Sequence, residues 1–153
     1  MFLRLIRHFS LRRRCQEGVA AVEMALCLLP LLLLLGGIVD FGDAYYIKQV
    51  ITNASREGAR YGSRFTIDST GNHIIPANIT SPYTIAGYVT NYYGGSVTNL
   101  TVPTPTGTGY TSGTSGDPLT VTVTAQKNWF FLGNLLGFTN PQTLTATTTM
   151  ALE

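Results

Sequence analysis

Glu23 is the one charged residue in an otherwise apolar run from Val19 to Val39, and it stands five residues after Gly18. Placing a carboxylate at membrane depth costs about 2.5 to 3.5 kcal/mol on insertion scales, so Glu23 needs a partner or a task. A basic leader precedes it, with Arg4, Arg7 and the triplet Arg12-Arg13-Arg14. A second charged group, Arg56, Glu57, Arg60 and Arg64, repeats at helical spacing. Glu57 reaches Arg60 at i+3, and the three arginines at i+4 form a basic stripe suited to contact with a lipid headgroup or a partner. The commoner outcome for such a stripe is a solvated face with a weak surface pair.

The other reactive side chains are sparse. His8 belongs to the leader, His73 is the one histidine after it, and neither cysteine lies beyond Cys27. There is no phosphate-binding glycine loop, zinc-ligand spacing or nucleophile elbow. Asp40, Asp43 and Asp68 are the residues that could in principle bind a cation, but the first two read better as charges flanking a membrane helix. The expectation is a protein without enzymatic activity, metal or cofactor.

Positioning these residues falls to one long apolar element. The 21 residues from Val19 to Val39 suffice, at about 1.5 Å each, to cross the roughly 30 Å hydrocarbon core of a bilayer. Arginines precede this run and Asp40 and Asp43 follow it, so the positive-inside rule puts the N-terminus in the cytoplasm and everything after residue 40 outside. A secretory signal usually has an apolar region of about 7 to 15 residues, and here Gly42-Asp43-Ala44 only weakly imitates its cleavage site. The residues after Arg13-Arg14 do not continue a twin-arginine signal, and Leu26 before Cys27 is too large for a lipoprotein signal.

About 110 residues follow the apolar run, enough for one small domain. The formal charge of the whole chain is +2, but residues 19–153 carry five basic and seven acidic side chains, a balance of −2. Nucleic-acid binding therefore has no support. Cys15 and Cys27 precede the outer domain, which can form no internal disulfide.

Residues 40–64 continue the helix in amphipathic form. Ile47, Val50, Ile51, Ala54, Gly58 and Tyr61 share one face, and Lys48, Arg56, Arg60 and Arg64 lie mostly off it. With the apolar run they make a rod of about 69 Å, with local bends favoured at Pro30, Gly36-Gly37 and Gly42. Gly58 and Gly62 allow a neighbouring element to pack closely.

Gly18 followed by Glu23 after a basic leader resembles a type IV prepilin signal. Val22-Glu23-Met24-Ala25-Leu26, Leu29-Pro30, Ile38-Val39-Asp40-Phe41-Gly42 and Ala54-Ser55-Arg56-Glu57-Gly58-Ala59-Arg60-Tyr61 resemble the N-terminal signature of TadE-like proteins, over roughly residues 18–62. Those are pseudopilins or minor pilins of tight-adherence (Flp, type IVc) pilus systems. The resemblance implies cleavage by a prepilin peptidase between Gly18 and Val19, which leaves Glu23 at mature position five. Val19 departs from the methylated phenylalanine that begins many type IV pilins. A new α-amine at Val19 and a carboxylate four residues on share a helix face, so Glu23 can pair with its own or a neighbouring subunit's amine. The alternative is a Glu23 that snorkels to the headgroups without any assembly role.

From Phe65 to Glu153 the only charges are Asp68, Asp117, Lys127 and Glu153, amid many Thr, Gly, Asn and Tyr. This profile predicts a β-rich exported domain and, with the helix, an α+β fold: a long N-terminal helix, then a small antiparallel sheet with a short helix. That helix is expected over residues 82–93, capped by Ser81, with Pro82 first, Gly94-Gly95 at its end and Ile85, Tyr88, Val89 and Tyr92 facing inward. Strands are expected at 97–102, 119–125 and 143–152, the second burying Leu119, Val121, Val123 and Ala125 and the third interrupted at Thr148. The Gly/Ser/Thr-rich stretch 103–118 reads as a flexible loop with Tyr110 as an anchor. The apolar stretch 129–138 is expected to pack into the core or on the long helix; the alternative is an exposed patch that docks another pseudopilin.

The organisation expected is a leader (1–18), a transmembrane helix (19–39), its amphipathic continuation (40–64) and an exported domain (65–153). The function expected is that of a minor pilin or pseudopilin in tight-adherence pilus assembly. It would reside in the bacterial inner membrane or in a pilus, with its C-terminal domain periplasmic or extracellular. The partners implied are a prepilin peptidase, other pilin-like subunits, the inner-membrane assembly platform and membrane lipid. The alternative is an uncleaved membrane-anchored adhesin or binding module.

Overall fold

A computed structural model of the chain describes residues 2–64, 66–67, 69–80 and 82–153, with side chains described from residue 18 on, Asn134 excepted. One helix, α1 (Phe2–Ser63), runs without interruption through Pro30 and the glycines of the apolar run. From Gly18 to Leu35 every side chain on it is exposed. Beyond that point its character changes, because Ile47, Ile51, Ala54 and Ala59 recur on one face and are buried by the rest of the chain.

What buries them is an antiparallel hairpin of β1 (Pro118–Lys127) and β2 (Gln142–Ala151), paired from Pro118 opposite Ala151 to Lys127 opposite Gln142. Strict alternation turns Leu119, Val121, Val123 and Ala125 onto α1 and leaves threonines on the other face. On that outer face Thr120 meets Thr149 at 2.8 Å and Thr122 meets Thr147 at 3.2 Å, oxygen to oxygen. A two-stranded sheet is marginal alone in water, so the helix completes it by covering its apolar face. The chain's end is tied down too: the Glu153 amide donates to the carbonyl of Ser63, the last residue of α1.

The expected α+β architecture is present, with four differences in detail. The sheet has two strands, since residues 97–102 do not form a third. Asn99 has φ +50°, which breaks the extended run, and only Thr101 keeps a bridge, exchanging two 2.9 Å backbone bonds with Thr124.

The short helix α2 spans Ile85–Tyr93 and begins three residues later than expected, because Thr84 is its cap and accepts from the Gly87 amide at 3.0 Å. Ser81, the cap expected from sequence, lies outside the described residues. Ile85 and Val89 face inward as expected, whereas Tyr92 is exposed and leans on Tyr88 with ring centroids 4.7 Å apart.

The 103–118 stretch is folded onto the domain. It contains a helical turn, α3 (Thr108–Ser112), buries Pro105 and Gly109, and joins β1 through reciprocal bonds between Thr106 and Thr120. Its glycines serve this compact path: Gly107 has φ +105°, and a Cβ there would lie 2.3 Å from the Pro118 carbonyl oxygen.

Residues 129–138 divide between two roles. Trp129 and Leu132 are buried, while Leu135 and Leu136 on a short helix, α4 (Leu132–Leu136), and Phe130, Phe131 and Phe138 around it are exposed.

Candidate functional site

Gly18, Val19 and Glu23 lie on one exposed stretch of α1. A Cβ at Gly18 would meet nothing within 4 Å, and Val19 and Glu23 are open to the surroundings. Four residues apart on a helix, Val19 and Glu23 share a face. Among the described residues Glu23 has no ion-pair partner.

The basic stripe is a solvated face. Arg56, Arg60 and Arg64 are exposed, and the Glu57 carboxylate lies 3.9 Å from the Arg60 guanidinium. An exposed pair at that distance contributes little to stability, which leaves the arginines available to a partner.

Gly58 and Gly62 are the close-packing points of α1 against the domain. A Cβ at Gly58 would come within 2.7 Å of Val89, and one at Gly62 within 2.5 Å of Ile85 and 2.7 Å of Leu119. Only glycine lets α2 and β1 reach the helix at these two levels, as the sequence anticipates.

One charged cluster was not foreseen. Asp40 and Lys127 are both fully buried, and the ammonium of Lys127 lies 3.8 Å from Asp40 and 2.6 Å from the half-exposed Asp43. Lys127 also donates to the Asn128 carbonyl at 2.6 Å, and its ammonium sits 5.4 Å and 5.2 Å from the ring centres of Trp129 and Phe130. Asp40 accepts three backbone amides, from Phe130 at 3.0 Å and from Phe131 and Leu132 at 2.9 Å each.

Burial pushes the Asp40 pKa up, but the three amides and then Lys127 outweigh it, so the carboxyl titrates below its ordinary value of 3.8. The two aspartates are thus more than helix-flanking charges: Asp40 holds the turn into α4 against α1. They are also not a vacant cation site, since Lys127 occupies the space between them; Asp68 lies outside the described residues. Lys127 had a signal in the sequence, because it follows Ala125 by two residues and so continues the buried alternation of β1.

Among the described residues no three of His, Cys, Asp and Glu come together as a metal site. The cleft between Pro76, Thr84, Val102 and Tyr110 has the Tyr110 phenol as its one titratable group. His73 lies in the bridge to Ile67, with its ring near Gly113.

The stretch of α1 from Gly18 to Ser63 is long and apolar enough to cross a membrane, and only 6% of its most apolar window is buried by the protein. An apolar surface of this length with no protein cover suggests a single-pass membrane anchor. Residues 18–60 match the family model of TadE-like proteins. The TadE-like segment begins at the glycine of the Gly18–Glu23 spacing and ends on the amphipathic part of α1 that carries Gly58 and Arg60. It agrees with the resemblance read from the motifs and is consistent with a TadE-like pilin of a tight-adherence system. It stops before the Thr-rich domain. No curated protein and no solved structure matches the chain.

Proposed function

We propose that this chain is a minor pilin or pseudopilin that takes part in assembling a tight-adherence pilus through its N-terminal helix. The observation that carries the reading is the coincidence of the TadE-like match with the uncovered part of α1, residues 18–35, which the domain leaves free for lipid or for other helices. A helix apolar all round and buried by nothing in its own fold is complete only in a bilayer or in a bundle of like helices.

In this reading a prepilin peptidase cleaves between Gly18 and Val19. The bond lies in the helix, and a glycine there weakens the helix by about 1 kcal/mol relative to alanine, which eases local opening for a protease. Cleavage removes the five leader arginines and exposes the Val19 amine. Glu23 then pairs with that amine, in its own chain or in the next subunit, so that the buried charge helps set the register between helices. The domain, held outside by Asp40 and the glycine contacts, presents the threonine face and the 103–118 loop to other subunits or to a surface.

The test is intact mass and N-terminal sequencing of the protein from cells with and without the prepilin peptidase. A chain that begins at Val19 only when the peptidase is present supports the pilin pathway. A chain that retains Arg12 to Arg14 in both points instead to a permanently anchored binding module.

A further inference from the structure

The apolar side chains that α4 leaves outside sit at a definite height along α1. Phe131 packs against Gly36, where its ring carbon would come within 2.8 Å of a Cβ, and Leu132 lies 3.9 Å from the equivalent point at Gly37. Gly36 is one turn, about 6 Å, before Asp40 and therefore inside the apolar run that ends at Val39. The Asp40 bonds to the amides of Phe130, Phe131 and Leu132 fix this height, because they tie the start of α4 to the turn of α1 where the apolar run stops.

Phe131 at that level is 56% exposed, and Leu135 and Leu136 on α4 just after it are 56% and 60% exposed, whereas Phe130 lies further out along α1, beside Asp43, Tyr46 and Ile47. No residue from Asn128 to Pro141 is charged, and the nearest cation, Lys127, is buried among Asp40, Asp43 and two rings. The patch thus adjoins the apolar run of α1 at Gly36 and Gly37, one turn before the charged level of Asp40.

We infer that α4 and the preceding Phe131 form a wedge that enters the outer leaflet of the membrane beside α1, with lipid acyl chains as the occupant of the exposed patch. The inference rests on reading Val19 to Val39 as a membrane span. It gives the chain a second, non-spanning contact with the bilayer and sets how close the exported domain sits to the lipid. Within the wedge the roles divide: Asp40 and Asn140 shape the backbone, Asn140 by accepting from the Trp129 amide at 3.3 Å, and Phe131, Leu135 and Leu136 supply the apolar surface.

The test uses the full chain in phosphatidylcholine vesicles, with Cys15 and Cys27 replaced and single cysteines introduced for nitroxide labels. Leu135→Cys and Leu136→Cys report on the wedge, Leu33→Cys on the span and Thr147→Cys on the outer face of the sheet. The accessibility of each label to oxygen and to a water-soluble nickel chelate measures its depth. The wedge predicts oxygen-dominated labels at 135 and 136, with a ratio within about tenfold of that at 33, and a nickel-dominated label at 147.

Nickel-dominated labels at 135 and 136 with an oxygen-dominated label at 33 overturn the wedge while leaving the span intact. Labels at 135 and 136 shielded from both reagents also overturn it, since protein and not lipid then covers the patch. A nickel-dominated label at 33 removes the span itself, and the wedge with it. Both reporter positions are exposed, so labelling them disturbs no core contact.

Discussion

Asp40 and Lys127, 87 positions apart in the chain, are both fully buried and bring their charged groups to 3.8 Å at the point where the apolar part of α1 meets the folded domain. Two charges withdrawn from water in this way are sustained only while each keeps its partners, which here are three amides on one side and Asp43, the Asn128 carbonyl and two rings on the other.

The costs of removing the two members of the pair should therefore not add. Lys127→Ala, which leaves the Asp40 carboxylate buried without a cation, is expected to destabilise the domain by about 3 to 5 kcal/mol, and Asp40→Ala by less, because Lys127 keeps its 2.6 Å pair with Asp43. The double change Asp40→Ala with Lys127→Ala should cost clearly less than the sum of the two single changes. Urea unfolding of the detergent-solubilised chain, followed by the fluorescence of the single tryptophan at position 129, would show the difference. Additive effects would mean that the pair acts as two independent contacts.

The lowered pKa of Asp40 gives the fold a pH dependence of known sign. A carboxylate whose folded pKa lies below its unfolded one contributes stability that is fully present above the unfolded value of 3.8. That contribution is lost as the pH falls below 3.8 and through the lower folded value. Denaturation midpoints should therefore hold steady from neutral pH down to about 5 and decline only in stronger acid. In Asp40→Asn, part of that acid-side decline should vanish; an equal decline in both proteins would assign it to other carboxylates.

Three glycines of α1 should respond differently to the same substitution. Gly58→Ala and Gly62→Ala push a methyl to within 2.7 Å of Val89 and 2.5 Å of Ile85, and each is expected to cost about 1 to 3 kcal/mol. Gly42, where a Cβ meets nothing within 4 Å, should gain up to about 1 kcal/mol on becoming alanine. Thermal unfolding of the three variants side by side checks the contrast.

Glu23→Leu removes the charge and keeps the apolar span, so membrane insertion should be unaffected or improved. If Glu23 pairs with a neighbouring subunit's amine, pilus assembly should fall by about tenfold or more, whereas protein recovered in the membrane fraction stays level. Pili at normal abundance on cells carrying the variant would remove the pairing from the proposal.

Most of the helix was legible in the sequence because its signals are local. The apolar run, the face formed by Ile47, Ile51 and Ala54, and the glycines at 58 and 62 all follow from helical spacing. The hairpin was legible for the same reason, in its alternation of Leu119, Val121 and Val123 with threonines. Even the break at Thr148 has a local cause and a distant answer, since its hydroxyl lies on the inner face and meets Ser55 on α1 at 2.8 Å.

What escaped the sequence depends on distant partners. Nothing near Asp40 announces the amides of residues 130–132, and nothing near Lys127 announces the two aspartates. The start of α2 was misplaced because Pro82 and Thr84 both suit a helix N-terminus, and only the bond from the Gly87 amide decides between them. The expected third strand fails on the positive φ of Asn99, which pattern alone does not reveal.

The domain grips α1 from near Gly36 to Asp40, through α4, up to Ser63, through the amide of Glu153, with the sheet on Ile47, Ile51 and Ala54 and the Gly58 and Gly62 contacts between these two ends. A lever fixed at two points cannot pivot about either. A pull on the threonine face or the loop therefore reaches the uncovered end of the helix as displacement of a single stiff body, with no swivel between domain and rod to absorb it.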